Sequence, residues 1–311
     1  MRIPITFYGF LLLFSAVACM PESQPSADLS AKEGPLQIVC TTGMLGDAIS
    51  RIAGDRAEVT NLMGPGVDPH LYKATQGDLK RLTGADVVFY NGLHLEGKMG
   101  EVLDKVARLK PVIALGDSIP TDKLINSTDY ASAYDPHIWF DVSLWSEAVG
   151  IAGHILADLD TAYAKTYRAN TEAFQHQLAQ LHAFVQQEIN RIPPEQRILI
   201  TAHDAFEYFG EAYGIEVRGL QGISTVSEYG LKDVSDLVNL ITSRNIKAIF
   251  VESSVPRKSL EAVVEGCAKR GHTTRIGGTL YSDAMGEAGT PEGTYPGMVR
   301  ANVRTIVEAL R

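Results

Sequence analysis

Residues 159–194 read LDTAYAKTYRANTEAFQHQLAQLHAFVQQEINRIPP, and this stretch decides the architecture. Apolar residues such as Leu178, Leu181 and Val185 recur in it at helical spacing. No glycine or proline interrupts the pattern until Pro193 and Pro194. Proline stops a helix because it lacks an N–H donor and its ring clashes with the preceding turn. The pattern predicts one long helix from about Leu159 to Arg191, longer than most globular helices.

Short apolar runs alternate with amphipathic stretches on both sides of this helix. Before it, the sequence predicts strands at 36–41, 58–63, 87–91 and 112–114, separated by helices at 45–52, 76–82 and 99–107. After it, the sequence predicts strands at 198–201, 216–219, 248–251 and 273–276, with helices at 205–213, 231–244, 259–270 and from 295 onward. Such alternation is typical of parallel sheets with helices on both faces.

The predicted fold is therefore α/β, with two lobes that each hold a mainly parallel central sheet flanked by helices. The N-terminal lobe spans 36–158, the rigid linking helix 159–192 and the C-terminal lobe 193–311. Ligands of such sheets bind at the carboxyl ends of the strands, so the ligand is expected in the cleft between the lobes.

The first 18 residues, MRIPITFYGFLLLFSAVA, have the layout of a secretory signal peptide: one basic residue, an apolar centre and a small-residue exit. The following Cys19 resembles the lipidated cysteine of bacterial lipoproteins, although Ala16 departs from the leucine of the usual pattern. An uncleaved membrane anchor is the alternative, but the run is slightly short and Pro21 follows it at once. Residues 19–35, rich in Ser, Pro, Ala and charge, predict a flexible tether.

Composition excludes several classes of protein. The 311 residues are 45% hydrophobic and carry a net charge of −9, which argues against nucleic acid as a partner because that binding needs clustered Lys and Arg. Neither GxGxxG nor GxxxxGK[ST] occurs, so nucleotide binding lacks its phosphate loop.

Cys40 and Cys267 lie in apolar and helical surroundings and are interpreted as two separate buried thiols, with a disulfide as the alternative.

Three of the eight histidines stand at loop or strand ends. His70 and His137 both follow an Asp-Pro pair, and His203 lies in ITAHDAF. Proline restricts its own φ and its predecessor, so each Asp-Pro unit holds the next imidazole in one direction, as a metal ligand requires. Three ordinary loop histidines are the alternative. His94, just beyond a strand end, is a weaker candidate, and surface or capping roles suit the remaining four, His154, His176, His182 and His272.

A carboxylate joins these candidates. Asp283 follows Gly277-Gly278 and precedes Met285-Gly286, in a loop ahead of the last helix. It is interpreted either as a ligand or as the N-cap of a short turn.

Seven ordered segments extend this pattern over the mature chain. They are IVCTTGMLGD, GVDPHLYKATQGDLKRLTGADVVFYNGLHLEGKM, DPHIWFDV, TAHDAFEYFGEAYGIEVRGLQGIST, SEYGLKDV, IFVESSVPRKSLEAV and GTLYSDAMGEAGTPEGTYPGMV. Together they resemble the metal-binding solute-binding proteins of ABC transporters, the family of TroA-type zinc and manganese receptors and of lipoproteins once called adhesins. The resemblance implies that the N-terminal lobe supplies His70 and His137, that the C-terminal lobe supplies His203 and Asp283, and that these four ligands hold one divalent cation.

The resemblance also bears on residues around the ligands. Glu207, Glu228 and Glu252 are interpreted either as supports of the ligands or the lobe interface, or as plain surface carboxylates. Lys98 replaces the aromatic residue usual after the NGLxLEG segment, which affects packing at the cleft rim rather than ligation. Family members that favour manganese often carry Glu at the third ligand position, where this chain has His203.

Ligand chemistry leaves the ion open between zinc and manganese. Three imidazoles and one carboxylate suit four-coordinate zinc, whereas manganese prefers more oxygen donors. Binding through both oxygens of Asp283 would instead give a five-coordinate site that accepts manganese or ferrous iron. The His-rich loop of some zinc-specific relatives is missing, since residues 115–134 contain no histidine, which argues against exclusive zinc specificity.

The implied function is the solute-binding subunit of an ABC transporter, a monomer that delivers zinc or manganese to a permease with its ATPase. It is expected in the periplasm or on the outer face of the cytoplasmic membrane, anchored by lipid on Cys19. A zinc-dependent hydrolase is an alternative, but four protein ligands would close the site to water and no HExxH helix occurs. A surface adhesin is the third possibility and would require an exposed apolar patch.

Overall fold

The computed structural model describes residues 28–127 and 133–311. The predicted signal peptide, Cys19 and residues 19–27 of the predicted tether lie outside this part of the chain. Residues 28–35 differ from a flexible tether, because the buried Arg56 guanidinium donates hydrogen bonds to the carbonyls of Leu29, Lys32 and Gly34. Its Nε donates to the buried Asp160 carboxylate at 2.8 Å, so an ion pair fixes the centre of this contact.

The N-terminal half builds one parallel four-stranded sheet in the order β2-β1-β3-β4. Its elements are β1 (Leu36–Cys40), α1 (Gly43–Ala53), β2 (Ala57–Asn61), α2 (Gln76–Gly84), β3 (Val87–Tyr90), α3 (Gly100–Ala107) and β4 (Val112–Ala114). Parallel neighbours need crossover connections, which α1, α2 and α3 provide. Ile38 and Val39 point to opposite faces of β1 and enter different apolar clusters, so the sheet is covered on both sides.

The C-terminal half repeats the alternation with two parallel strand pairs, β5-β6 and β7-β8. Its elements are β5 (Ile198–His203), α6 (Glu207–Tyr213), β6 (Glu216–Gln221), α7 (Leu231–Ser243), β7 (Ala248–Glu252), α8 (Lys258–Lys269), β8 (Arg275–Leu280) and α9 (Tyr295–Leu310). Strands β5 and β7 lie side by side. At their carboxyl ends the Glu252 carboxylate accepts hydrogen bonds from the backbone N–H groups of Ala202 and His203, each at 2.8 Å.

Two antiparallel helices lie between these halves, α4 (Val142–Leu159) and α5 (Ala164–Ile189). The predicted helix from Leu159 to Arg191 corresponds to a short 3-10 turn and α5, whereas α4 was not predicted as a separate helix. Helix α4 ends at Asp160, where the backbone leaves helical geometry with φ −131° and ψ 75°. Its buried carboxylate accepts from Arg56 and from Tyr167 Oη, so tertiary contacts stabilise the break.

Helix α5 contacts both halves of the molecule. The Arg51 guanidinium of α1 lies over the Phe174 ring of α5 at 4.9 Å, and Arg300 of α9 lies over Phe184 at 4.4 Å. Glycine permits the close approach to α4, because a Cβ on Gly153 would lie 2.1 Å from Thr171 Oγ1. The predicted α/β fold with parallel sheets and one long helix is confirmed, while the boundaries of the lobes stay a prediction.

Two further expectations concern the cysteines and the membrane. Cys40 and Cys267 are both free and buried, as predicted for separate thiols, and burial raises the pKa of each thiol above its ordinary value. None of the helices in the described ranges combines the length and the apolar character that crossing a membrane requires.

Candidate metal centre

The two Asp-Pro-His segments form the same local turn. Asp68 Oδ1 accepts a hydrogen bond from the backbone N–H of His70 at 2.9 Å, and Asp135 Oδ1 accepts from that of His137 at 2.9 Å. An aspartate that bonds the backbone two residues on closes an Asx turn, and the intervening proline keeps the turn stiff. Each imidazole therefore leaves a turn whose direction is set within three residues.

His137 is fixed further by its own aspartate. Asp135 Oδ1 lies 2.7 Å from His137 Nδ1, and both side chains are fully buried. The carbonyl of Pro136 accepts a hydrogen bond from Asn91 Nδ2 at 3.0 Å, and Tyr208 Oη donates to the carbonyl of Asp135 at 3.0 Å. Because Nδ1 is engaged by a carboxylate, Nε2 is the nitrogen that faces the centre of the site.

His203 ends strand β5 and has a matching support. Glu252, at the end of β7, holds the His203 backbone N–H through Oε1 and places Oε2 2.5 Å from His203 Nδ1. Both side chains are fully buried. One carboxylate therefore accepts a hydrogen bond from the backbone of His203 and makes an ion-pair contact with its ring, again leaving Nε2 to face inward.

Asp283 lies in the loop after β8. Ser254 Oγ donates to Asp283 Oδ2 at 3.3 Å, and Trp139 Nε1 donates to the carbonyl of the neighbouring Ser282 at 3.1 Å. Thr290 and Thr294 accept the capping hydrogen bonds of the next 3-10 turn and of α9, so Asp283 caps neither of these elements.

The four side chains converge on one point. His70 Nε2 lies 3.4 Å from His137 Nε2, His137 Nε2 lies 3.4 Å from Asp283 Oδ1, and His203 Nε2 lies 3.3 Å from Asp283 Oδ2. One donor atom from each of the four residues lies within 4.8 Å of the others, and all four residues are buried. Four donors about 2.05 Å from a tetrahedral zinc ion would be separated by about 3.3 Å. The three contact distances match that spacing, so the group could hold a metal ion.

Two buried polar atoms at this point test whether the site fits a cation. His203 Nε2 and Asp283 Oδ1 are buried and have no hydrogen-bond partner among the described residues. Such orphans are costly in a protein interior, and a cation placed between them would satisfy both.

The three imidazoles differ in the direction in which their surroundings shift the pKa. Burial lowers the pKa of His70 to about 3, which keeps it neutral. Burial also disfavours charge on His137, but Asp135 and Asp283 outweigh it and raise the pKa to about 9. Glu252 and Asp283 likewise overcome burial and raise the pKa of His203 well above its ordinary value. Burial disfavours ionised Asp283, yet His203 and His137 hold its pKa well below the usual range.

The remaining predicted residues are not in this group. Glu252 supports His203, whereas Glu207 is half-buried and Glu228 is exposed. Lys98 is also exposed and is not one of the four converging residues. His94 is exposed on the wall of a cavity of about 420 Å³ next to His70, which Tyr134, Ser224 and Val226 also line.

The other histidines have separate partners or positions. His154, His182 and His272 contact the Gly150 carbonyl, Tyr213 Oη and the Ile246 carbonyl respectively, and His176 lies on α5. Sequence reasoning did not assign Asp135 the role of holding the His137 ring, although its place two residues before the histidine was a usable signal.

Known proteins match this chain over nearly its whole length. It is 50% identical over 300 residues, covering 96% of this chain and 97% of the relative, to the manganese-binding lipoprotein MntA of Bacillus subtilis. It is 47% identical over 285 residues, 92% of each chain, to the zinc-binding protein TroA of Treponema pallidum. A solved structure of the periplasmic zinc-binding protein TroA from Treponema pallidum superposes with a TM-score of 0.87 at 47% identity, covering 89% of this chain and 99% of that one.

A family model agrees with these relatives. The model described as zinc-uptake complex component A, periplasmic (ZnuA), matches residues 38–309, which include strands β2 to β8 and all four converging side chains. This chain therefore belongs to the ZnuA family of periplasmic metal-uptake components.

Proposed function

We propose that this chain is the extracytoplasmic solute-binding subunit of an ABC transporter and that it captures one zinc or manganese ion as cargo. His70 and His137 from the proposed N-terminal lobe, and His203 and Asp283 from the proposed C-terminal lobe, are its ligands. The observation that carries the proposal is the convergence of three imidazole nitrogens and one carboxylate, where the buried His203 Nε2 and Asp283 Oδ1 have no hydrogen-bond partner among the described residues.

The family and the ligand set favour binding over catalysis. Members of the family are solute-binding proteins, and this chain is accordingly a carrier and not an enzyme. A catalytic zinc ion keeps an open position for water, whereas four buried protein donors leave a tetrahedral ion none.

The direct test is elemental analysis of the protein purified without added metal, followed by competition between zinc and manganese. We expect about one equivalent of a divalent ion, removed by a chelator and restored by either metal. Protein that takes up neither ion, whatever salt is supplied, would contradict the proposed function.

Ligand geometry supports either ion. Each oxygen of Asp283 faces a different imidazole, Oδ1 towards His137 and Oδ2 towards His203. Use of one oxygen suits four-coordinate zinc, and use of both gives the fifth bond that manganese or ferrous iron accepts. Relatives include both a manganese-binding and a zinc-binding protein, in keeping with a site that takes either ion.

The variant His203→Glu is expected to shift the ratio of zinc to manganese affinity towards manganese by about tenfold or more, equivalent to ~1.4 kcal/mol. The reason is that a carboxylate replaces an imidazole, and manganese prefers oxygen donors. Competition titrations with both metals measure the ratio. His154→Glu makes the same chemical change on α4, away from the site, and should leave the ratio unchanged. An unaltered ratio in His203→Glu would mean that this ligand does not set selectivity.

Metal affinity is expected to fall as the pH drops, by about tenfold per pH unit for each proton displaced. Because the pKa of metal-free His137 is raised to about 9 and that of His203 is raised as well, both rings hold a proton at neutral pH that the ion must displace. His70, with a pKa near 3, adds no pH dependence there. Isothermal titration in buffers of different ionisation enthalpy counts the protons released. Equal affinities at pH 8 and pH 6 would be the contrary result.

Delivery requires partners outside the chain. We propose that the protein is anchored by lipid on Cys19, faces the periplasm or the outer surface of the cytoplasmic membrane, and docks as a monomer on a permease with its ATPase. The lipoprotein relative supports the anchor, and the family's description supports the compartment.

A further inference from the structure

A single hydrogen bond ties the C-terminal half to the aspartate in front of His70. Thr225 Oγ1 donates to Asp68 Oδ2 at 2.6 Å, across 157 positions of sequence. Thr225 belongs to residues 222–230, the irregular segment between β6 and α7, which we name the 222–230 loop. A short hydrogen bond to a carboxylate is stronger than one between neutral groups.

The same carboxylate also sets the direction of His70. While Asp68 Oδ2 accepts from Thr225, Asp68 Oδ1 accepts from the backbone N–H of His70. Rotation of this carboxylate would break both contacts together. The hydroxyl of Thr225 is therefore coupled to the turn that aims the His70 ring.

The other end of the loop is fixed beside a second proposed ligand. The carbonyl of Gly222 accepts a hydrogen bond from the backbone N–H of Asp204, the residue after His203, at 3.3 Å. The 222–230 loop thus runs from the neighbour of His203 to the turn before His70. It bridges the two halves at the proposed site without contributing one of the four converging donors.

His70 depends on such a bridge more than its companions do. The rings of His137 and His203 each have an ion-pair contact from Nδ1 to a buried carboxylate, whereas no carboxylate of the described residues forms an ion-pair contact with the His70 ring. His70 also lines the cavity of about 420 Å³ together with Ser224 and Val226 of the loop. It is the imidazole next to an opening, and among the described residues its ring has no carboxylate contact of the kind that the other two imidazoles have.

We infer that Thr225 is a positioning residue that latches the 222–230 loop onto Asp68 and thereby sets how long the ion stays bound. The inference rests on the proposed function, because it concerns release of the same cargo. We call the hydrogen bond between Thr225 and Asp68 the latch. While this bond is formed, the latch is closed and the His70 turn stays in its binding geometry. Open, it frees the turn and the ligand nearest the cavity, so the ion leaves through that side.

The test compares metal dissociation from wild type and Thr225→Val. Valine keeps the branched shape and removes the donor hydroxyl. Zinc-loaded protein is mixed with an excess of a chromogenic chelator in a stopped-flow instrument, and association is measured separately with free zinc. We expect dissociation to accelerate about tenfold, the size of one charge-assisted hydrogen bond, with the association rate little changed.

Several controls separate a latch from a general structural effect. Thr225→Ser retains the hydroxyl and should restore slow dissociation. Thr83→Val removes a hydroxyl that bonds only carbonyls of its own helix, and it should leave release unchanged. The melting temperature of metal-free Thr225→Val should fall by no more than a few degrees, the effect of one lost hydrogen bond. In a double-mutant cycle with Asp68→Asn, the effects on dissociation should be strongly non-additive.

The outcomes distinguish the two proposals. Wild-type protein that binds no ion overturns the proposed function itself. Wild type that binds, with Thr225→Val releasing zinc at the wild-type rate, overturns the latch alone. Additive effects in the cycle, or a Thr225→Ser variant as fast as Thr225→Val, would likewise overturn it.

Discussion

His203→Ala is expected to weaken zinc binding by roughly 100- to 1000-fold, a quarter of the binding free energy of a four-ligand zinc site. The substitution removes one of four converging donors and leaves Asp283 Oδ2 without the imidazole that lies 3.3 Å away. Water would replace the lost ligand, at a site built to exclude it. Competition against a chelator of known affinity, at fixed pH, measures the loss.

The matched control is His154→Ala. His154 lies on α4 and contacts the Gly150 carbonyl of its own helix, so its loss should not alter affinity. Equal affinities of His203→Ala and wild type would show that the ion binds elsewhere. Metal-free samples should also be compared by circular dichroism, so that a folding defect is not mistaken for a lost ligand.

Glu252→Ala is expected to damage both stability and binding. The carboxylate accepts from the backbone N–H groups of Ala202 and His203, and truncation leaves two buried donors unpaired. We expect the metal-free protein to lose about 2–4 kcal/mol of unfolding free energy. Zinc affinity should fall by roughly 10- to 100-fold, because the His203 ring loses its orienting partner. Urea unfolding and chelator competition measure the two effects separately.

Glu252→Gln tests which part of the carboxylate matters. The amide oxygen can still accept from the backbone, so most of the stability should return, while the altered contact with His203 Nδ1 should keep zinc binding weakened. Glu228→Ala changes an exposed glutamate and serves as the control for both measurements. Wild-type affinity in Glu252→Ala would remove the carboxylate from the proposed binding machinery.

Most of the fold could be predicted from local patterns, because each strand of a parallel sheet buried on both faces is a short apolar run. The run LQIVC predicts β1 for this reason, and the prolines at 193 and 194 correctly predict the end of the α5 region. The break between α4 and α5 could not be found in this way. It depends on Arg56 and Tyr167 meeting Asp160, residues distant in sequence or hidden within a continuous helical pattern.

The candidate site, like the fold, was predictable from the sequence only where its features are local. The Asp-Pro-His turns are local, so the sequence predicts the direction of His70 and His137 within each turn. The pairing of Glu252 with His203 and of Thr225 with Asp68 requires strands and loops that come together only after folding. Sequence alone left Glu207, Glu228 and Glu252 equivalent, and burial distinguishes them: only Glu252 is buried and contacts a converging imidazole.

The 26 residues of α5 span about 39 Å and are packed against α1, α4 and α9. A continuous helix that is packed along its length has no hinge at which to bend. We therefore expect the metal-loaded and the metal-free protein to have nearly the same overall shape. A transporter that binds only the metal-loaded protein would then have to recognise local differences in the surface around the cleft, because the overall shape would not distinguish the two states. The contacts of a few surface side chains would then decide whether ATP is hydrolysed without an ion being transported.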